Sequence, residues 1–332
     1  MSSLESQGPI GLPGSIGFKP PLIVMVGPTG VGKTEVSIQV AERLGGEIVS
    51  ADSRLFYRGM DIGTAKPTPG QQARVRHHLL DVVNPDETWS LAVFQRAARD
   101  AIQDIHMRNK LPFLVGGTGQ YIRAVTHSWE LPAAKPDPQL RNILEKLAES
   151  LGNEWLYKGL DLLDPTAAEA IDPRNLRRII RALEVIFSTG RKFSDQRGKT
   201  DNPYTLLMIG LIRPRAELYT RVDARIEAMF TAGLLEEVRH LLTLEYSPSL
   251  PSMSAIGYRE CTSVLRGEMS LATAREQMRR LTRNFVRRQA NWFKQDDPNI
   301  HWFNLEAVKL NEIENGIHTF LEKIKSPPSP GQ

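Results

Sequence analysis

Gly27, Gly32, Lys33 and Thr34 keep the spacing G-x-x-x-x-G-K-[ST] within the run Gly27, Pro28, Thr29, Gly30, Val31, Gly32, Lys33, Thr34. Such a loop turns several backbone N–H groups and a helix N-terminus onto one anion. The lysine adds a point charge, and the threonine hydroxyl can ligate Mg²⁺. The pattern says that a polyphosphate is bound without saying which one. A second polar run follows: Asp52, Ser53, Arg54, Tyr57, Arg58, Asp61, Thr64 and Lys66 fall within residues 52–67 without apolar periodicity. Loops of this content at strand ends usually recognise something polar. A carboxylate at Asp52 could take a proton from an attacking alcohol or amine, or it could cap a turn. Residue type alone leaves these roles open.

The flanking segments supply the elements that must position these groups. "PLIVMV" before the loop reads as a buried parallel strand. "TEVSIQVAERLG" after it places Val36, Ile38, Val40 and Leu44 on a helical period, with Gly45 and Gly46 as a stop. "GEIVSAD" (46–52), "LPFLVGGTGQY" (111–121) and "YTLLMIGLI" (204–212) predict three more strands, and 90–108 and 215–244 read as helical. Strands alternating with helices predict an α/β core with a mainly parallel sheet and ligands at the carboxyl ends of its strands. Asp52, Thr118 and the glycine loop all fall at such ends, so one cleft is expected to hold them.

Residues 126–200 break the alternation and predict a helical insertion. The expected division is a flexible 1–20, a core of 21–125 and 201–325, the insertion 126–200 and a frayed 326–332. A chain of 332 residues, 41% hydrophobic and 24% charged, is ordinary for a globular protein of about two domains. Its net charge of +4 and pI of about 9.1 weakly favour a polyanionic partner. The single Cys261 excludes an intrachain disulfide and a cysteine-rich zinc module. No apolar stretch reaches the length of a membrane span, and the N-terminus lacks the regions of a signal peptide. A cytoplasmic monomer is the expectation.

Residues 275–294 carry Arg275, Arg279, Arg280, Arg283, Arg287, Arg288 and Lys294 against a single acid, Glu276, interleaved with Phe285, Val286, Trp292 and Phe293. A solvated basic helix is the commoner meaning of such a run. Beside a polyphosphate pocket it also suits an RNA backbone, with Arg283 and Arg287 as contacts. "RNLRRIIR" in the insertion repeats the theme.

Taken together, GPT-x-x-GKT, DS-x-x-x-Y-x-GMDIGTAKP, HHLLD, LVGGTG-x-Y, RALEV, P-x-M-x-AIGY-x-E and TR-x-x-x-RRQ-x-x-WF resemble the tRNA dimethylallyltransferases, the bacterial tRNA isopentenyltransferases. The resemblance runs from about Leu22 to Phe303. One departure is Leu55, where many members carry glutamine; a hydrogen bond is lost there.

The resemblance implies a P-loop NTPase-like core that transfers a dimethylallyl group from dimethylallyl diphosphate to N6 of adenosine 37. The acceptors are tRNAs reading codons that start with U, bound through the anticodon stem-loop, and diphosphate departs. It implies Asp52 as the base, Lys33, Thr34 with Mg²⁺, and Arg225 on the diphosphate, and tRNA contacts at Thr118 and Arg141. Further tRNA contacts fall at Asp52, Ser53, Arg54, Leu55, Phe56 and Tyr57, at Arg177, Arg178 and Arg181, and at Ser254, Gly257, Tyr258 and Arg259. The competing readings are an adenylate isopentenyltransferase acting on free nucleotide, a P-loop kinase or ATPase, and an RNA-binding protein with a relic loop. The insertion and the basic segment favour tRNA over a mononucleotide.

Overall fold

The structure is a computed structural model that describes residues 19–127, 129, 137–196 and 202–326. The expected flexible N-terminus up to residue 18 and tail from 327 lie outside the described residues. The chain divides into two compact units, Met1–Thr126 with Pro203–Gln332, and His127–Asn202.

The larger unit is built on a six-stranded sheet: β1 (Pro21–Val26), β2 (Glu47–Ser50), β3 (His77–His78), β4 (Pro112–Gly116), β5 (Thr205–Ile212) and β6 (Ile300–Asn304). Its spatial order is β3-β2-β4-β1-β5-β6, and every pairing is parallel. All six residues of β1 are buried because helices cover both faces of a parallel sheet, which is why "PLIVMV" is a continuous apolar run. Ile23 pairs with Phe113 of β4 on one side and Leu207 of β5 on the other.

The four strands expected from apolar runs are present, and β3 and β6 join them at the two edges. The helix Lys33–Arg43 starts at Gly32, whose left-handed backbone (φ 108°) turns the chain out of the loop. The helix Leu91–Met107 buries Phe94, Ala98, Ile102 and Ile105, a stripe of one side chain per turn, and Ser90 caps its start. The segment 215–244 is two helices, Arg215–Thr231 and Leu234–Thr243, because Gly233 at φ 98° breaks it.

The smaller unit is helical, as the insertion's composition implied: Pro138–Leu151, Asn153–Leu163, Pro165–Glu169 and Leu176–Thr189. Leu144, Leu156, Leu160, Ile179, Leu183 and Val185 belong to a core of its own. At ~1.5–3 kcal/mol for each fully buried large aliphatic side chain, such a core is what holds four short helices together.

Candidate active site

The chain leaves β1 for β2 on one side and leaves β4 for β5 on the other, although β1 and β4 are neighbours. Their outgoing loops therefore diverge and open a crevice at the carboxyl ends, the place where open α/β sheets bind ligands. Gly27–Thr34 leaves β1 there, and Gly117–Thr118 leaves β4. Asp52 follows the end of β2, one strand further out.

Within the glycine loop the backbone donors are already sorted. The Val31 N–H donates to the Pro28 carbonyl (3.3 Å), and the Thr29 N–H donates to Gln289 Oε1 (2.8 Å). The N–H groups of Gly32, Lys33 and Thr34 donate to no acceptor among the described residues, and they surround the helix N-terminus, a ready anion site. Lys33 Nζ donates to the carbonyls of Gly27 (2.9 Å) and Pro28 (3.0 Å). Burial lowers the Lys33 ammonium to about 8; the Asp52 charge opposes that shift, and the Arg225 charge adds to it. Burial likewise lowers Arg225, again opposed by Asp52. These mutual effects place Lys33, Asp52 and Arg225 in one electrostatic neighbourhood.

Thr34 is exposed, and its hydroxyl bonds to no other described residue. No group of three or more His, Cys, Asp or Glu able to hold a metal occurs among the described residues. The Thr34 hydroxyl is a hard oxygen donor of the type Mg²⁺ takes when waters and phosphate oxygens complete its shell.

Asp52 Oδ1 accepts the Arg54 N–H (3.0 Å), and its carbonyl accepts that of Leu55 (3.2 Å). The loop it heads is pinned by Phe56, which stacks on Phe94 and Tyr121 (5.7 Å each) and lies 5.6 Å from Trp89. Burial pushes Tyr121 up to about 12. Arg54 Nη1 donates to the Pro251 carbonyl (3.0 Å), which joins this loop to the stretch holding Ser254 and Arg259.

The GMDIGTAKP stretch is a scaffold for Arg225. The Glu237 carboxylate accepts the N–H groups of Asp61 (2.9 Å), Ile62 (2.7 Å) and Gly63 (3.1 Å), together with the Tyr258 hydroxyl (2.6 Å). The loop so held presents the Thr64 carbonyl, which accepts from Arg225 Nη2 (3.2 Å). Lys66 closes the stretch on the Tyr57 carbonyl (2.8 Å), Asp61 (2.5 Å) and Asp81 (2.5 Å). Neither Glu237 nor Gln289 was expected at the site: Glu237 carries no signal outside the fold, and Gln289, though part of the motif TR-x-x-x-RRQ-x-x-WF, had no role assigned.

The residues expected to contact RNA fall in different surroundings. Phe56 and Tyr258 are wholly buried and Tyr57 nearly so, and their side chains pack the loops. Gly257 is buried too; with φ at 100° it turns the chain into the helix Tyr258–Leu265, which leaves Ser254 and Arg259 exposed. Arg283 Nη2 donates to Asp223 and its guanidinium lies over Tyr219 (5.3 Å), while Arg279 and Arg275 pair with Glu227 (2.7 and 3.5 Å). Three arginines spaced by four thus face an acidic row on the helix Arg215–Thr231. Arg280, Arg287 and Arg288 of the helix Leu271–Gln289 are exposed, with Arg287 donating to Asn284 Oδ1 of the same helix. Thr118 is half-buried, its carbonyl accepting the Tyr121 N–H (2.9 Å); Ser53 and Leu55 are half-buried as well.

In the smaller unit, Arg141 and Arg181 share the buried Glu184. Arg141 donates through Nε (2.8 Å) and Nη2 (2.9 Å), and Arg181 through Nη1 (2.6 Å), while Arg177 and Arg178 are exposed.

A parallel sheet with a glycine-rich phosphate loop after a central strand and a carboxylate after the next strand in sequence defines an α/β core of P-loop type. The chain belongs to the IPP transferase family, whose profile matches residues 55–296, and an isopentenyl transferase profile matches residues 20–84. It is 51% identical over 292 residues to a tRNA dimethylallyltransferase of Roseiflexus sp. (strain RS-1), covering 88% of this chain and 95% of that protein. Among solved structures it is similar to the full-length tRNA isopentenylpyrophosphate transferase of Bacillus halodurans: TM-score 0.70, 41% identity, 92% of this chain and 98% of that one. A eukaryotic dimethylallyltransferase acting on tRNA gives TM-score 0.79 at 27% identity, over 94% of this chain and 81% of that one.

Proposed function

We propose that this protein transfers a dimethylallyl group from dimethylallyl diphosphate to N6 of adenosine 37 in tRNAs reading codons that start with U, acting in the cytoplasm as a monomer. The observation that carries the reading is the phosphate loop with Lys33 at the switch point, Asp52 just past the end of β2 and Arg225 held on the Thr64 carbonyl: two cations for a leaving diphosphate and one carboxylate for a proton. A nucleotide hydrolase would favour an acid for its metal at the end of a strand beside β1. Here β4 ends in Gly116 and continues to Gly117–Thr118, while β5 continues to Arg213. No helix among the described residues is long and apolar enough to cross a membrane.

In the proposed step the bond between the prenyl carbon and the diphosphate oxygen breaks as N6 bonds to that carbon, and Asp52 takes the N6 proton. The exocyclic amine is a poor nucleophile because its lone pair is delocalised, so the base is needed as bonding develops. Lys33, Arg225 and the free amides at the helix start meet the charge gathering on the diphosphate. The Thr34 hydroxyl is the residue that would hold a Mg²⁺ ion, which would supply further neutralisation of the diphosphate charge.

The test is incubation of the protein with unmodified tRNA, labelled dimethylallyl diphosphate and Mg²⁺, followed by nucleoside mass analysis. Prenylated adenosine in the tRNA is expected. Prenylation of free nucleotide alone would move the reading to adenylate isopentenyl transfer, and ATP hydrolysis stimulated by tRNA without prenylation would move it to an ATPase.

The sorting of the arginines gives a second expected result. Replacing Arg280, Arg287 and Arg288 with Ala should weaken tRNA binding and flatten the salt dependence of the Kd by ~0.7–0.9 for each phosphate no longer neutralised. Arg283→Ala should lower the thermal midpoint, because Asp223 loses its partner, and leave the salt slope alone. The reverse pattern across a salt series would return Arg283 to the RNA surface.

A further inference from the structure

We propose that Gln289 is a positioning residue that ties the phosphate loop to the loop after β4 and so sets the donor against the acceptor. The terms donor and acceptor rest on the prenyl-transfer reading above. Gln289 ends the helix Leu271–Gln289 and is buried, with 7% of its surface exposed. Its two amide atoms face two different loops. Oε1 accepts the Thr29 N–H (2.8 Å), and Nε2 donates to the Gly117 carbonyl (3.2 Å). These loops leave β1 and β4 on either side of the switch point, so one side chain spans the crevice floor.

The chemistry of the bridge is specific. A carboxamide carries an acceptor and a donor on one carbon, which is what an N–H on one side and a C=O on the other require. Glutamate would keep the bond to Thr29 and set an oxygen against the Gly117 carbonyl. Gly117 has no room for a side chain: a Cβ there would lie 2.3 Å from Gln289 Nε2. Trp292 packs against the chain just beyond, where a Cβ at Gly119 would lie 2.3 Å from its ring, and its carbonyl accepts from Arg123 Nη2 (2.7 Å). Because the Thr29 N–H is committed to Gln289, the amides left for an anion are that of Gly30 and those at the start of the helix Lys33–Arg43.

Transfer requires the reacting carbon and nitrogen to be held about 3–3.5 Å apart and aligned, and a misplacement of about 1 Å can cost on the order of 10²-fold. Gln289 acts through the two loops rather than on either reactant. It fixes the separation of the segments that hold them.

The experiment compares the full-length wild type with Gln289→Ala, Gln289→Glu, Gly117→Ala and the Gly117→Ala/Gln289→Ala double variant. The readouts are thermal midpoint, Kd for inorganic pyrophosphate with Mg²⁺, tRNA Kd, and single-turnover prenylation at saturating substrates. Each single variant should slow the single turnover by ~10–10²-fold and weaken pyrophosphate binding, with the tRNA Kd and its salt slope unchanged. Gly117→Ala acts by expelling the Gln289 amide, so the double variant should be no slower than Gln289→Ala alone, a failure of additivity that marks direct coupling. Wild-type turnover in Gln289→Ala, whatever its midpoint, would overturn the proposal, as would independent additive effects at Gly117 and Gln289. If Gln289→Ala does not fold, Gln289→Glu and Gly117→Ala face the same two outcomes. A wild type that forms no prenylated adenosine would instead count against the function itself.

Discussion

Asp52→Ala should slow single-turnover prenylation by ~10²–10⁴-fold, the usual worth of a positioned base, while leaving the tRNA Kd nearly unchanged. The carboxylate sits just past the end of β2 and shares its surroundings with Lys33 and Arg225. One oxygen is occupied, since Oδ1 accepts the Arg54 N–H, whereas Oδ2 accepts nothing from the described residues. That division raises a second role: the Oδ1 bond is a turn cap, and alanine removes cap and base together. Asp52→Asn separates them, because its amide oxygen can still accept from Arg54 but is a negligible base. Equal slowing in both variants would assign the rate to proton removal. A near-normal rate in Asp52→Asn would reduce Asp52 to organising its loop. The decisive measurement is the rate at saturating tRNA and donor, so that weakened binding is not mistaken for slower chemistry.

What the sequence disclosed follows from how local each signal is. β1, β2, β4 and β5 are apolar runs beside turn residues, so burial on both faces wrote them directly into composition. β6 ("IHWFN") escaped because an edge strand buries little: only Ile300 is fully buried, and a histidine and an asparagine dilute the pattern. β3 is two histidines long and has no readable period. The helix break at Gly233 depends on a left-handed backbone inside an otherwise continuous helical pattern.

The site divides in the same way. The glycine loop is legible because its spacing is itself the anion-binding device, whereas Asp52 stood out by its place after a strand and by the resemblance. Glu237 and Gln289 are an ordinary acid and an ordinary amide on helices, and they gain meaning only when the fold brings the Asp61–Gly63 amides to one and Thr29 with Gly117 to the other. The arginine run shows a middle case. Its charge was legible, but its division into arginines paired with acids and arginines left exposed depends on which acids the helix Arg215–Thr231 presents. Asp223 and Glu227, four residues apart, match Arg283 and Arg279 turn for turn.

Lys33→Ala should lower the single-turnover rate by ~10²–10³-fold, the range seen when one preorganised donor to a developing charge is removed, and it should also weaken donor binding. The double effect distinguishes it from Asp52, because the lysine meets diphosphate charge before the transition state as well as within it. Its position also makes the effect depend on pH. Burial brings the Lys33 ammonium down from 10.5 to about 8, so the free protein loses this cation as pH rises through 8. A bound diphosphate favours the ammonium and raises its pKa. Pyrophosphate affinity should therefore be complete below pH 8 and fall above it, by as much as tenfold per pH unit until the bound-state pKa is reached, with about one proton taken up on binding in that window. The proton uptake is measurable by calorimetry in buffers of different ionisation enthalpy, corrected for the titration of pyrophosphate itself through the Lys33→Ala variant. That variant should show weaker affinity at pH 7 and no remaining fall near pH 8. The same fall in both proteins would mean that Lys33 stays charged throughout, and that the carbonyls of Gly27 and Pro28 hold its proton more firmly than burial removes it.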